Sequence, residues 1–120
     1  MEEIKKFAIE IYKILGAGYN ETVYEEALAV EMRKAKINYN TELNVEIIYK
    51  GEKIGNHTLD FIVEKKPKFV VELKAAASIS KGNRSQLKAY LKTLNLNKGL
   101  LINFPYPDKE KPEIEVVSIN

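Results

Sequence analysis

The most constraining feature of this sequence is a change in the spacing of its apolar residues. Over residues 3–15 they recur every three or four positions, which is typical of an amphipathic α-helix. Asn20 is a favourable N-cap after a glycine-containing turn, so a second helix is predicted over residues 21–36. Later segments alternate with a period of two or have a short apolar run, and they predict strands at 43–49, 54–64, 69–75, 98–104 and 113–119. With a further helix at 82–95, the order ααβββαββ indicates an α/β (α+β) fold.

The predicted strands 54–64 and 69–75 can be paired from the sequence alone. If the numbers of paired residues sum to 132, one side of the pair is entirely apolar, as Leu59–Leu73, Phe61–Val71 and Val63–Phe69. The other side then places Ile62 opposite Val70 and Asp60 opposite Glu72, with Lys74 diagonal to Asp60. A shift by one residue would pair opposite faces and lose this match. Two carboxylates are therefore expected to face each other on a covered side of the sheet.

Carboxylates directly opposite each other repel, so this pair requires a compensating cation. Lys74 can supply one positive charge, and a divalent metal would supply the rest. Oxygen ligands favour Mg²⁺ or Mn²⁺ over zinc. The alternative is an exposed salt-bridge cluster at the end of a strand. His57 is expected to face away from the metal side, as a surface or packed residue, because its spacing from Asp60 is odd.

Composition excludes several kinds of site. The chain has 120 residues, 45% of them hydrophobic, which predicts one domain over residues 1–120. It has no cysteine and one histidine, which excludes disulfides, thiol nucleophiles, cysteine-ligated metals and multi-histidine metal sites. Charges stand where a signal peptide needs an apolar core, and no apolar run reaches the length of a membrane span. An intracellular protein, cytoplasmic or nucleoid-associated, is expected.

Four short motifs, the first of which contains the acidic pair, resemble those of a known protein family. Asp60 followed by Glu72-Leu73-Lys74 resembles the D…(D/E)xK signature of the PD-(D/E)XK nuclease superfamily. Gly18, Glu21 and Tyr24 match the motif that names its GxxExxY family. The stretches at 86–91 (QLKAYL) and 99–104 (GLLINF) resemble the helix and strand that follow in that family. These matches run from about residue 5 to residue 104 in the family's order.

The resemblance implies a restriction-endonuclease-like core, in which helices flank a mixed central β-sheet. It also implies hydrolysis of phosphodiester bonds with Mg²⁺ as cofactor and Mn²⁺ as a substitute. Asp60, Glu72 and the backbone carbonyl of Leu73 would be metal ligands, and Glu21 would join them directly or through water. Lys74 would orient or activate the attacking water and stabilise charge on the phosphate. Gln86 would steady the site.

A basic stripe on the predicted helix 82–95 suggests a nucleic-acid partner. The stripe, which begins one residue before that helix, consists of Lys81, Arg84, Lys88 and Lys92. Such residues bind a phosphate backbone without reading its sequence, although lysines at this spacing also form ordinary solvated helix faces. The leading hypothesis is a structure-selective nuclease, with DNA favoured over RNA and a homodimer allowed. The alternatives are a nucleic-acid- or protein-binding module with weak or no catalysis, and a structural subunit whose acidic cluster is a salt-bridge network.

Overall fold

Three helices form where the apolar spacing predicts them. The computed structural model describes residues 1–119. Its helices are α1 (Glu2–Leu15), α2 (Glu21–Lys34) and α3 (Lys81–Leu94). The Asn20 side chain caps α2 by accepting a hydrogen bond from the backbone N–H of Val23, as its position predicts. At α3, Ser80 and Asn83 form a reciprocal capping box, which fixes where that helix starts.

The strands form two separate sheets. They are β1 (Tyr39–Asn40), β2 (Asn44–Tyr49), β3 (Glu52–Thr58), β4 (Phe61–Val63), β5 (Phe69–Lys74), β6 (Lys98–Asn103) and β7 (Glu113–Ser118). The central sheet has the order β1-β4-β5-β6-β7, while β2 and β3 pair as a separate hairpin. Within the central sheet β5 and β6 are parallel and the other neighbours are antiparallel. The predicted mixed sheet flanked by helices is therefore confirmed.

The predicted register is correct through β4 and wrong just before it. Phe61 pairs with Val71, Ile62 with Val70 and Val63 with Phe69, as the sum of 132 requires. The predicted strand 54–64 is instead two strands, because β3 ends at Thr58 and β4 begins at Phe61. Leu59, which donates its backbone N–H to the carbonyl of Leu43, does not face Leu73. The sequence prediction also missed the two-residue strand β1.

Each face of the central sheet packs against a different layer. One core joins α1 and α2 to the side chains of Phe61, Val71 and Leu73. The other joins α3 and Val45 of β2 to Leu59, Ile62 and Val70. Because side chains alternate along β5, Glu72 shares the face of Val70, which is fully buried. In the described chain, which lacks only residue 120, no helix is both long and apolar enough to span a lipid bilayer.

Candidate active site

Asp60 and Glu72 are in direct contact at the C-terminal end of β5. Asp60 lies in the two-residue break between β3 and β4, where its backbone is free of the central ladder. Its Oδ2 accepts a hydrogen bond of 2.7 Å from the backbone N–H of Leu73. Its own N–H donates to Glu72 Oε2 at 3.4 Å. The structure thus brings together the two carboxylates that the sequence places opposite each other.

Glu72 is buried beneath His57, which the sequence prediction oriented wrongly. Glu72 is 5% exposed, and its Oε1 lies 2.9 Å from His57 Nε2. The imidazole also stacks on the buried ring of Tyr90 in α3, with ring centroids 4.3 Å apart and planes 10° apart. His57 faces the acidic pair because β3 ends one residue later, so alternation does not continue from His57 to Asp60. A continuous strand was the wrong premise.

Burial and charge repulsion keep Glu72 protonated at neutral pH in the metal-free protein. Desolvation, and then the hydrogen bond and negative charge of Asp60, raise its pKa from 4.5 to about 9. Burial lowers the pKa of His57, so the imidazole is neutral at this pH. The contact between His57 and Glu72 is therefore a hydrogen bond between neutral groups rather than an ion pair.

Helix α2 adds two further carboxylates to this cluster. Burial raises the pKa of Glu21; the charge of Lys74 opposes this shift, and that of Asp60 adds to it. Glu25, one turn later, has its pKa raised to about 8, first by burial and then by a hydrogen bond and charge from Asp60. Sequence reasoning missed Glu25. Its spacing of four residues from Glu21, which places both on one helix face, was the available signal.

The GxxExxY motif fixes the start of α2 against the sheet. Gly18 has φ of 106°, a conformation that side chains disfavour, as its place in the turn predicts. Tyr24 is fully buried, and its hydroxyl donates to the carbonyl of Gly16 at 2.7 Å. Its ring stacks on Phe104, with centroids 4.2 Å apart. These contacts position the helix turn that carries Glu21.

The end of β6 holds the segment that follows Lys74. Asn103 is fully buried, and its side chain both accepts from the N–H and donates to the carbonyl of Ala76. The N–H of Phe104 donates to the Lys74 carbonyl at 2.9 Å. Lys74 itself is half-buried at the last position of β5. The charge of Lys74 lowers the pKa of both Glu21 and Glu72, which places the ammonium group within electrostatic reach of the acidic cluster.

The predicted residues of α3 remain at the surface. Gln86 is exposed, one helical turn before Tyr90 and on the same face. Lys81, Lys88 and Lys92 are exposed as a solvent-facing stripe requires. Arg84 instead forms a two-pronged ion pair with Glu115 of β7, with contacts of 2.6 and 2.7 Å. Its charge is therefore already balanced within the protein.

A cleft of about 240 Å³ opens beside the acidic cluster. It lies between α2 and the start of β4, and its lining includes Glu25, Asp60, Glu26 and Glu42. As they stand, however, no three histidine or carboxylate side chains of residues 1–119 are arranged to hold a metal ion. Both oxygens of Glu72 are engaged in hydrogen bonds, to His57 and to the backbone of Asp60. The cleft thus has carboxylates of the chemical type that binds a divalent cation. The neighbouring Glu72, however, already uses both of its oxygens in hydrogen bonds within the protein.

Comparison with known proteins agrees with this fold. The family model of the PD-(D/E)XK nuclease superfamily matches residues 1–117, so the chain belongs to that superfamily. No curated protein matches the chain significantly. Among matching solved structures is one described as "Crystal structure of SSO0001", with a TM-score of 0.61 and 19% sequence identity. The match covers 81% of this chain and 48% of that one, so the chain spans about half of that protein, and the likeness concerns the fold alone.

Proposed function

We propose that the protein is a metal-dependent nuclease that hydrolyses phosphodiester bonds of nucleic acid, DNA in preference to RNA. One observation carries the proposal. Asp60 and Glu72 touch at the end of β5, where the charge of Lys74 acts on Glu72 and the charge of Asp60 acts on Glu21. Asp60, Glu72 and Lys74 resemble the superfamily signature, and superfamily membership supports their reading as catalytic residues.

The donor chemistry of the cluster fits a hard divalent cation. Its donors are carboxylate oxygens and the Leu73 carbonyl, which suit Mg²⁺ and, as a substitute, Mn²⁺. The pKa values of Glu25 and Glu72 are raised first by burial and then by the hydrogen bond and negative charge of Asp60, and a cation would offset that negative charge. Asp60, Glu72 and Leu73 would hold the metal, and Glu21 would join directly or through water. Such a metal polarises the phosphate and makes bound water a stronger nucleophile.

The remaining residues would position the reactants. Lys74 orients the attacking water and stabilises the charge that grows on the phosphate as one P–O ester bond breaks. The backbone N–H of Leu73 holds Asp60, and His57 holds one oxygen of Glu72. Gln86, exposed on the face of Tyr90, would steady the site once substrate covers it.

Nucleic acid would be held by its backbone. Lys81, Lys88 and Lys92 of α3 are exposed, pair with no carboxylate of residues 1–119 and can contact phosphates, whereas Arg84 would first have to leave Glu115. Such lysines contact phosphates rather than base edges, which favours selection by nucleic-acid structure over selection by sequence. The narrower GxxExxY assignment and a homodimer belong to the same proposal.

Cleavage assays with an isosteric variant test this function. Asp60→Asn keeps an oxygen that can accept the Leu73 N–H, so the fold should survive while a metal ligand is lost. Branched, single-stranded and duplex DNA and RNA are incubated with Mg²⁺ or Mn²⁺. We expect cleavage by the wild type and a loss of about a hundredfold or more in the variant. Asp108→Asn, an exposed aspartate outside the cluster, is the matched control and should cut normally. Equal cleavage by Asp60→Asn would refute the assignment.

A binding module without catalysis is the second candidate. The observation that favours it is the closed state of Glu72, whose two oxygens are both hydrogen-bonded within the protein. This candidate predicts nucleic-acid binding of equal affinity in the wild type and in Asp60→Asn, with no turnover of any substrate. Measuring affinity and cleavage on the same substrates therefore separates the two functions.

A further inference from the structure

A second cleft, lined by lysines, lies at the opposite end of the central sheet from the acidic cluster. The parallel strands β5 and β6 begin at Phe69 and Lys98, and both residues line this cleft of about 320 Å³. Lys65, Lys66 and Lys68, in the turn before β5, line it as well. Glu72 and Lys74 lie toward the other end of the same strand.

The charge of this cleft is only partly balanced. Lys65 pairs with Glu3, and Lys68 pairs with Glu64 at 3.1 Å. Lys66 and Lys98 have no carboxylate partner within residues 1–119. No acidic side chain of the described chain lines the cleft. Two unpaired ammonium groups in a concave site concentrate positive potential and favour an anionic ligand.

We propose that Lys66 and Lys98 bind backbone phosphates of the nucleic acid whose cleavage is proposed for the acidic site; the inference therefore rests on the proposed function. Lysines act as mobile point charges, which suit phosphates along a flexible path and carry no base readout. From Glu72 to Phe69 the strand rises about 10 Å, and the turn adds up to about 10 Å more. At 3.4 Å per base pair, the cleft contacts DNA about three to six base pairs from the cut.

The salt dependence of DNA binding tests the contact directly. The variant Lys66→Gln/Lys98→Gln removes the two unpaired charges and leaves both ion pairs in place. Lys13→Gln/Lys111→Gln removes the same charge from two exposed lysines that line no part of this cleft. Affinity for a duplex of about 20 base pairs is measured with EDTA between about 50 and 200 mM salt. We expect the slope of log affinity against log salt to fall by about 1.8 in the first variant and to stay unchanged in the control. An unchanged slope in the first variant overturns the proposal.

Cleavage assays that compare two proteins on two substrates separate this proposal from the nuclease assignment. Wild type and the Lys66→Gln/Lys98→Gln variant are compared on a long duplex arm and on an arm trimmed to about two base pairs. We expect trimming to slow the wild type and to have no further effect on the variant. If the wild type cuts, and the variant cuts each substrate at the same rate as the wild type, the cleft proposal fails and the nuclease assignment stands. If no protein cuts, the nuclease assignment fails, and the salt slopes alone decide whether the cleft binds phosphate.

Discussion

The substitution Glu72→Gln should stabilise the metal-free protein, although it alters a buried residue of a hydrogen-bonded cluster. The raised pKa means that folded Glu72 holds a proton between about pH 4.5 and 9 that the unfolded chain releases. Stability arising from this group is therefore complete below about pH 4.5 and is lost as the pH rises toward 9. Glutamine has nearly the same shape, can still accept from the Asp60 N–H, and does not titrate.

The size of the effect follows from the pH interval. At pH 7 the folded protein must protonate a group about 2.5 units above its ordinary pKa, which costs about 3 kcal/mol at 1.36 kcal/mol per unit. At pH 5 the same cost is below about 1 kcal/mol. The variant should therefore gain about 3 kcal/mol at pH 7, a rise in melting temperature on the order of 10 °C, and gain little at pH 5.

Urea denaturation with EDTA at both pH values measures the difference. Glu10→Gln, an exposed glutamate of α1, is the matched control and should shift stability by less than about 0.5 kcal/mol at either pH. If Glu72→Gln destabilises the protein at pH 7, or if its effect is the same at both pH values, the carboxyl group is not the strained, protonated group described above.

Three further substitutions test other contacts. Tyr24→Phe removes the hydroxyl that donates to the Gly16 carbonyl but keeps the ring stack on Phe104. Urea denaturation should therefore show a free energy of unfolding lower by about 1 kcal/mol, and no loss would contradict this hydrogen bond. Asn103→Leu leaves backbone groups of the loop after β5 unpaired and should cost about 2–3 kcal/mol in the same assay, where a neutral effect would refute that role. His57→Phe keeps an aromatic stack but removes the hydrogen bond that orients one oxygen of Glu72, so calorimetry should show Mn²⁺ binding about tenfold more weakly. Unchanged or tighter binding would show that His57 does not orient this ligand.

The predictable parts of the fold are those that depend on residues close together in the sequence. The pairing of Phe61 with Val71 and of Val63 with Phe69 followed from matching apolar faces, because the two strands are joined by a short turn. The cap at Asn20 followed from similarly local chemistry. Such features depend on few long-range contacts, so the sequence pattern carries them.

The break between β3 and β4 could not be predicted because no local signal marks it. The stretch His57-Thr-Leu-Asp60 contains neither glycine nor proline, and its alternation reads as one strand. The backbone turns there because the hairpin packs under α3 while β4 joins the central sheet. Because of this long-range packing, the side chains of Leu59 and His57 lie on the opposite side of the sheet from the one predicted. Glu25 was missed because adjacent glutamates on a helix usually face solvent.

The separate β2–β3 hairpin ties the state of Glu72 to a lightly anchored part of the molecule. Within these two strands, both described in full, Val45 alone is buried, whereas all of β5 except Lys74 is buried. Elements with so little buried surface open more readily than core strands. Backbone amides of β3 should therefore exchange with solvent faster than those of β5. Each such opening withdraws His57 from Glu72, so the hairpin's own equilibrium sets how often water reaches that carboxyl group.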